Sequence, residues 1–221
     1  KAAHTVGKRL GIAALQAFTP EQSALAFRDA KVHSLQGAVW QMLFIAKQVD
    51  SRDINPAHPL LLEIMTLKDE LHEEVLRAKG AEVPGAGAFV RAFAVNGLGD
   101  RLAIASTAYR RDVDIALEII GLTDLFPNNT IITREQFTHA KPHPEPFNLA
   151  YGLLGLPESD RQYVAAFEDD HRGVLSAKAA GLFTCAITTR ADRQTFETMD
   201  TPPDLIAGSY AELESLLGLP R

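Results

Sequence analysis

Cysteine is almost missing from this chain, with Cys185 alone among 221 residues. A single thiol excludes an internal disulfide and any cysteine-based zinc site, and it makes a reducing cytoplasm the default compartment. Cys185 sits within the apolar stretch LFTCAI, where it reads as a small core residue. Positive charge is scarce too. The formal net charge is −6 and no long lysine or arginine run interrupts it, which excludes nucleic acid and acidic membrane surfaces as expected partners. No apolar run approaches the roughly 20 residues of a membrane span, and the N-terminal residues lack the apolar centre of a signal peptide. Repeats of solenoid period and low-complexity tracts are also lacking. With 46% hydrophobic residues, what remains is a cytoplasmic globular chain, long enough for one large domain or a core with a smaller insert.

What is present changes character near residue 80. Before it, apolar residues recur with helical spacing. In TPEQSALAFRDAKV, Thr19 is placed to cap a helix, with Pro20 at its first position and Gln22 completing a capping box. LQGAVWQMLFIAKQV puts Leu35, Val39, Met42, Leu43 and Ala46 on one helical face, and HPLLLEIMTLKDELHEEVLRAKG runs on to Gly80. Trp40, Met42 and Phe44 then read as the interior of a helical bundle. After Pro84, Gly85 and Gly87, short apolar runs alternate with helical patterns: RLAIAS, NTIIT, QYVAAF and FTCAIT each precede an amphipathic segment. That alternation predicts an α/β domain with a doubly wound parallel sheet, preceded by a helical domain.

Ligands of such sheets bind beyond the carboxyl ends of the strands. Those ends carry Ser106 and Thr107, then a loop with Lys141, then Glu168, Asp169 and Asp170 in succession. Each has a plain structural reading. Ser106 or Thr107 caps the next helix, Lys141 is a solvated loop residue, and Asp170 caps the helix that starts near His171. Capping does not account for Glu168 and Asp169, because adjacent carboxylates after a buried strand repel one another unless a cation lies between them. Hard oxygen donors of this kind suit Mg²⁺. A cation, a hydroxyl and an ammonium around one sheet edge make a phosphoryl site.

The stretches LAIASTAYRRDV, AKPHPEPF and AAFEDDHRGVLSAKAAGL resemble, in order and spacing, the second, third and fourth motifs of the haloacid dehalogenase (HAD) superfamily. VPGAGAFVRAF, ALEIIGLTDLF and PDLIAGSYAELESLLG extend the resemblance from about Ala81 to the end. It implies a Rossmann-like HAD core over residues 83–221 and an α-helical cap domain over 1–82, of the β-phosphoglucomutase-like branch. It also implies roles. Ser106 and Thr107 would bind the phosphoryl group, Lys141 would neutralise it and the nucleophile, and Glu168 and Asp169 would hold Mg²⁺. Asp170 stands where relatives often have serine. The family's first motif, Asp-x-Asp-Gly-Thr after a central strand, carries the nucleophile and the general acid/base, and it does not occur in this sequence. Either residues lie outside the given sequence or the protein is a degenerate relative. The resemblance favours the first, and a sheet continuous between LAIAS and VAAF would count against it.

The function so implied is Mg²⁺-dependent hydrolysis of a phosphate monoester, a sugar phosphate or similar small metabolite, through an aspartyl-phosphate. Alternatives are a phosphosugar mutase of the β-phosphoglucomutase type and a noncatalytic binder of phosphorylated ligands; a response-regulator-like receiver leaves the helical half unexplained. A 2-haloacid dehalogenase fits the acids less well than phosphate chemistry does. Arg110, with Tyr109 and Arg111, lies near the site as a possible substrate contact, and Arg28, Lys31 and His33 are possible anion contacts in the cap. His139 and His143, separated by Pro142, lack the helical i, i+4 geometry of a zinc pair and read as loop residues. A monomer or a homodimer is expected.

Overall fold

Thr19 shows how the N-terminal helices are set. Its hydroxyl accepts the Gln22 amide at 3.2 Å, and the Gln22 side chain accepts the Thr19 amide at 2.9 Å, so two donors that a helix start leaves orphaned are satisfied reciprocally. This helix, α3 (Pro20–Arg28), follows α1 (Ala2–Leu10) and α2 (Ala13–Gln16) and precedes α4 (Leu35–Ile45) and α5 (Pro59–Lys79). The computed structural model describes residues 2–31 and 35–218; His33 lies outside them. The chain divides into two compact units, Lys1–Ala78 and Lys79–Arg221. In the first, Val6, Leu15, Trp40, Leu43, Leu61 and Ile64 form one core. The indole N–H of Trp40 donates to the Ser51 carbonyl at 2.9 Å, so its polar edge is not stranded. Two sequence expectations shift. Leu35, placed on the buried face, is 45% exposed at the first position of α4. That helix also ends early, because Lys47 takes a left-handed φ of 54°. Arg28 pairs with Asp29, and Lys31 with Asp53.

The second unit opens on α6 (Ala86–Phe93) and then alternates. β1 (Ile104–Ala105), α7 (Arg110–Ile120), β2 (Ile131–Ile132) and α8 (Glu145–Leu153) come first. β3 (Ala165–Glu168), α9 (His171–Ala179), β4 (Phe183–Ile187), α10 (Arg193–Glu197), β5 (Leu205–Ala207) and α11 (Tyr210–Leu217) follow. All ladders are parallel, as the alternation predicts, but the strands form two sheets: β1 with β2, and β3–β4–β5. β5 is an addition to the four apolar runs that the alternation identifies. β1 and β3 are not hydrogen-bonded to each other. A cavity of about 300 Å³ is lined by Ile104 and Ala105 on one side, Ala166 and Phe167 on the other, and Phe89 and Phe147. The sheet is therefore discontinuous between the two segments where continuity would have argued against a further strand. Helix α8 packs on both sheets: Phe147 and Tyr151 join Ala166 and Ala177 in one cluster, while Ala150 joins Ile132 in another.

Asp204, just before β5, clamps the three-stranded sheet. Its carboxylate accepts the Lys178 ammonium and the Thr184 amide, each at 2.7 Å, while its own amide donates to the Thr184 carbonyl at 2.8 Å. Burial opposes the charge, but the Lys178 and Thr184 bonds outweigh it and hold the carboxyl below its ordinary 3.8. A depressed folded pKa contributes stability above the unfolded value, which is lost as pH falls through the folded one. Asp204→Asn is thus expected to cost about 1 kcal/mol at neutral pH, a figure reduced for partial exposure. The difference from the parent should shrink as pH falls through the folded pKa, which lies below 3.8, in urea titrations.

Cys185 is buried at 1% exposure in β4. Burial first, and the Asp204 charge second, push its thiol up to about 12. It remains a protonated, unreactive core residue.

Candidate active site

A buried ion pair of the second unit joins the two sheets. Lys141, in the loop before α8, donates from Nζ to the carbonyl of Ala105, the last residue of β1, at 2.9 Å and pairs with Oε1 of Glu168, the last residue of β3. The ammonium lies 4.5 Å from the centre of the Phe147 ring, a favourable position for a cation. The side chains of Lys141 and Glu168 are only 12% and 10% exposed. The solvated-loop reading of Lys141 therefore fails, and two residues 27 apart in sequence meet at one point.

Burial pushes the Glu168 carboxyl up; Lys141 pulls it down, while Asp169 and Asp170 add to the rise, and the net direction is upward. Three carboxylates gather at this strand end, and the buried one, Glu168, is paired with Lys141. Carboxylate oxygens from Glu168 and Asp169 are the donor type Mg²⁺ takes. Asp169 accepts a long hydrogen bond, 3.4 Å, from the Thr189 hydroxyl.

Asp170 takes a different part. It caps α9 through the Arg172 amide at 2.9 Å, and Arg172 and Arg190 stand 3.2 and 3.3 Å from its carboxylate. Its carboxyl is held below the usual range because these partners outweigh its burial. The three acids thus divide into a buried one tied to a lysine, one at intermediate exposure, and a cap.

Ser106 follows β1. Its amide extends the ladder to the Ile132 carbonyl at 2.9 Å, and its Oγ accepts the Ala108 amide at 3.1 Å. A hydroxyl that already accepts keeps its O–H free to donate. Thr107 beside it is exposed. Arg110 is the first residue of α7, and its guanidinium is engaged by Asp114 at 2.8 Å and by Asn128. It serves its own helix and the neighbouring loop.

Sequence reasoning missed Gly173. Cβ at this position would stand 2.0 Å from Glu168 Oε2 and 2.2 Å from Glu168 Cδ, so the bare backbone of the first turn of α9 makes room for the carboxylate. A glycine inside a helix is unfavourable by about 1 kcal/mol relative to alanine, and that local cost was the available signal. The small residues of α9 have the same purpose elsewhere: Ala177 and Ser176 are fully buried.

His139 and His143 lie in a loop, as the sequence reads, and a turn closed by the His143 amide on the Ala140 carbonyl at 3.1 Å brings their ring centres to 4.6 Å. Glu145 joins them. Its carboxylate accepts the Thr138 amide at 3.0 Å and the His139 amide at 2.8 Å, and these two bonds hold its carboxyl down to about 2.

Known proteins resemble this chain in sequence and in fold. Pyrophosphatase PpaX of Oceanobacillus iheyensis is 32% identical over 117 residues, covering 53% of this chain and 52% of that protein. PpaX of Anoxybacillus flavithermus is 31% identical over 122 residues, covering 55% and 54%. The chain spans about half the length of the curated relatives it matches. Among solved structures, CbbY of Rhodobacter sphaeroides with phosphate has a TM-score of 0.65 at 23% identity, covering 99% of this chain and 89% of that one. A HAD hydrolase of family IA from Entamoeba histolytica has 0.66 at 16%, again covering 99% and 89%. At these identities the structures speak for the fold, an α/β core with a helical cap. Residues 10–187 match the family described as haloacid dehalogenase-like hydrolase, and the chain belongs to that family.

Proposed function

We propose that the full-length protein is a Mg²⁺-dependent phosphate monoester hydrolase acting on a small phosphorylated metabolite through an aspartyl-phosphate. The observation that carries this reading is Lys141, fixed between Ala105 at the end of β1 and Glu168 at the end of β3. A buried ammonium at the meeting point of two strand ends is a preorganised counter-charge for a phosphoryl group. Ser106 has its O–H free to donate to a phosphoryl oxygen. Glu168 and Asp169 would hold Mg²⁺, which when bound screens the anionic phosphate and polarises its oxygens. Lys141 balances the nucleophile's charge and keeps Glu168 aimed.

In this reading the nucleophile would come from a segment lying in the cavity between β1 and β3. An extended segment pairing with both edges would end beside Lys141, because the carboxyl ends of both strands meet there. An aspartate at that end would attack phosphorus, and the alcohol would leave with a proton from a second acid. Because the curated relatives are named pyrophosphatases, inorganic pyrophosphate belongs beside sugar phosphates in the substrate panel.

The test is phosphate release by the full-length protein with Mg²⁺ and with a chelator. Chelation is expected to abolish release; chelator-resistant turnover would refute the metal assignment. Transfer of the phosphoryl group to a second sugar hydroxyl would identify a mutase, and tight phosphate binding without turnover a noncatalytic binder. Glu168→Ala and Asp169→Ala should each remove Mg²⁺-dependent turnover. Asp170→Ala should act chiefly on stability, by about 1 kcal/mol for a lost cap. Equal, small kinetic effects of all three would dissolve the distinction drawn among these acids.

A further inference from the structure

Outside the three acids, one cluster of metal-binding side chains stands out among the described residues. His139, His143 and Glu145 each offer a donor atom, and the three atoms lie within 4.8 Å of one another. The structure assigns to them, we infer, a binding site for one transition-metal cation of borderline softness, Zn²⁺ being the reference ion.

Geometry comes first. Donors at 2.0–2.1 Å from a tetrahedral cation are about 3.3 Å apart. The His139 Nδ1 to Glu145 Oε2 separation is 2.9 Å and that from His143 Nδ1 is 4.0 Å, so the observed spacings bracket the required one. Two imidazoles and one carboxylate are a known zinc donor set, which leaves a fourth position for water or another ligand. The same set is a poor match for Mg²⁺, which prefers oxygen throughout.

Support from behind comes second. The Thr138 and His139 amides fix the Glu145 carboxylate. The fully buried Ser176 hydroxyl donates to the His143 carbonyl at 2.6 Å, pinning that residue to α9. Hydrogen bonds of this kind orient metal ligands before the ion arrives. The Glu145 amide also donates to His143 Nδ1 at 3.2 Å; at the first turn of a helix, water readily replaces such a partner.

Access comes third. The imidazoles are 63% and 50% exposed, so an ion reaches them from solvent without opening the fold. The site shares no ligand with Glu168 and Asp169, although the turn that builds it also presents Lys141.

The experiment is a calorimetric titration of the full-length protein with Zn²⁺ in excess Mg²⁺, which occupies the oxygen-only carboxylates. Co²⁺ is substituted in parallel and its visible d–d band read as a report of imidazole coordination. One saturable equivalent and a four-coordinate Co²⁺ spectrum are expected. His139→Ala/His143→Ala should weaken Zn²⁺ at least tenfold and remove the band, with circular dichroism unchanged because both rings are on the surface. His4→Ala, in the other unit, should leave both readings intact. No saturable binding, or equal binding by parent and double variant, would overturn the assignment.

Discussion

Lys141→Ala is expected to lower kcat/KM by at least three orders of magnitude and to destabilise the protein by about 3 kcal/mol. The kinetic loss follows from removing the one buried cation at a site where a phosphoryl group and two carboxylates would gather, since preorganised charges in a water-poor pocket contribute most to such barriers. The loss of stability has a separate origin. Glu168 is 10% exposed and bonded to Lys141, so truncating the lysine leaves a buried carboxylate without a partner, a change that costs 3–5 kcal/mol when pairs are fully enclosed. The two effects separate in Lys141→Met/Glu168→Gln. Removing both charges should restore much of the stability and none of the activity, read by urea denaturation and phosphate release on the same samples. Near-normal turnover in Lys141→Ala would take this residue out of the chemistry.

Gly173→Ala should come close to it, with turnover reduced at least a hundredfold. One added methyl carbon would stand 2.0 Å from Glu168 Oε2, well inside any tolerated contact. The helix backbone cannot yield cheaply, so Glu168 must swing away from Lys141 and from its neighbour Asp169. A defect centred on the metal carboxylate predicts a raised Mg²⁺ requirement as well as a lower kcat. Gly152→Ala in α8 is the matched control, because nothing lies within 4 Å of the added carbon there. It should keep full activity and slightly improve stability through helix propensity. Parental kinetics for Gly173→Ala would mean that the Glu168 carboxylate is free to move without consequence.

Much of this arrangement was legible in the sequence because it rests on local chemistry. The Thr19 capping box, the alternation of short apolar runs with helices, and the placing of Ser106, Lys141 and Glu168 at strand ends all depend on residue type and near-neighbour spacing. What escaped depends on relations between distant segments. Nothing in the residue types says that the backbone carbonyl of Ala105 will accept from Lys141, or that Gly173 faces Glu168. The histidines are loop residues, as their spacing across Pro142 predicts, but their approach within a tight turn is not visible in that spacing. β5 escaped because three residues are too few to show a period. That the Arg110 guanidinium bonds Asp114 and Asn128 is likewise not visible in its position.

The separation of the strands into two ladders sets what a segment in the cavity between β1 and β3 would do. Bonded to both edges, it would turn two parallel ladders into one sheet. What couples them is α8, with Phe147 and Tyr151 against one ladder and Ala150 against the other, together with the Lys141 bridge. Among the described residues, then, one helix and one side chain tie the two ladders, and the polar tie is also the proposed catalytic cation.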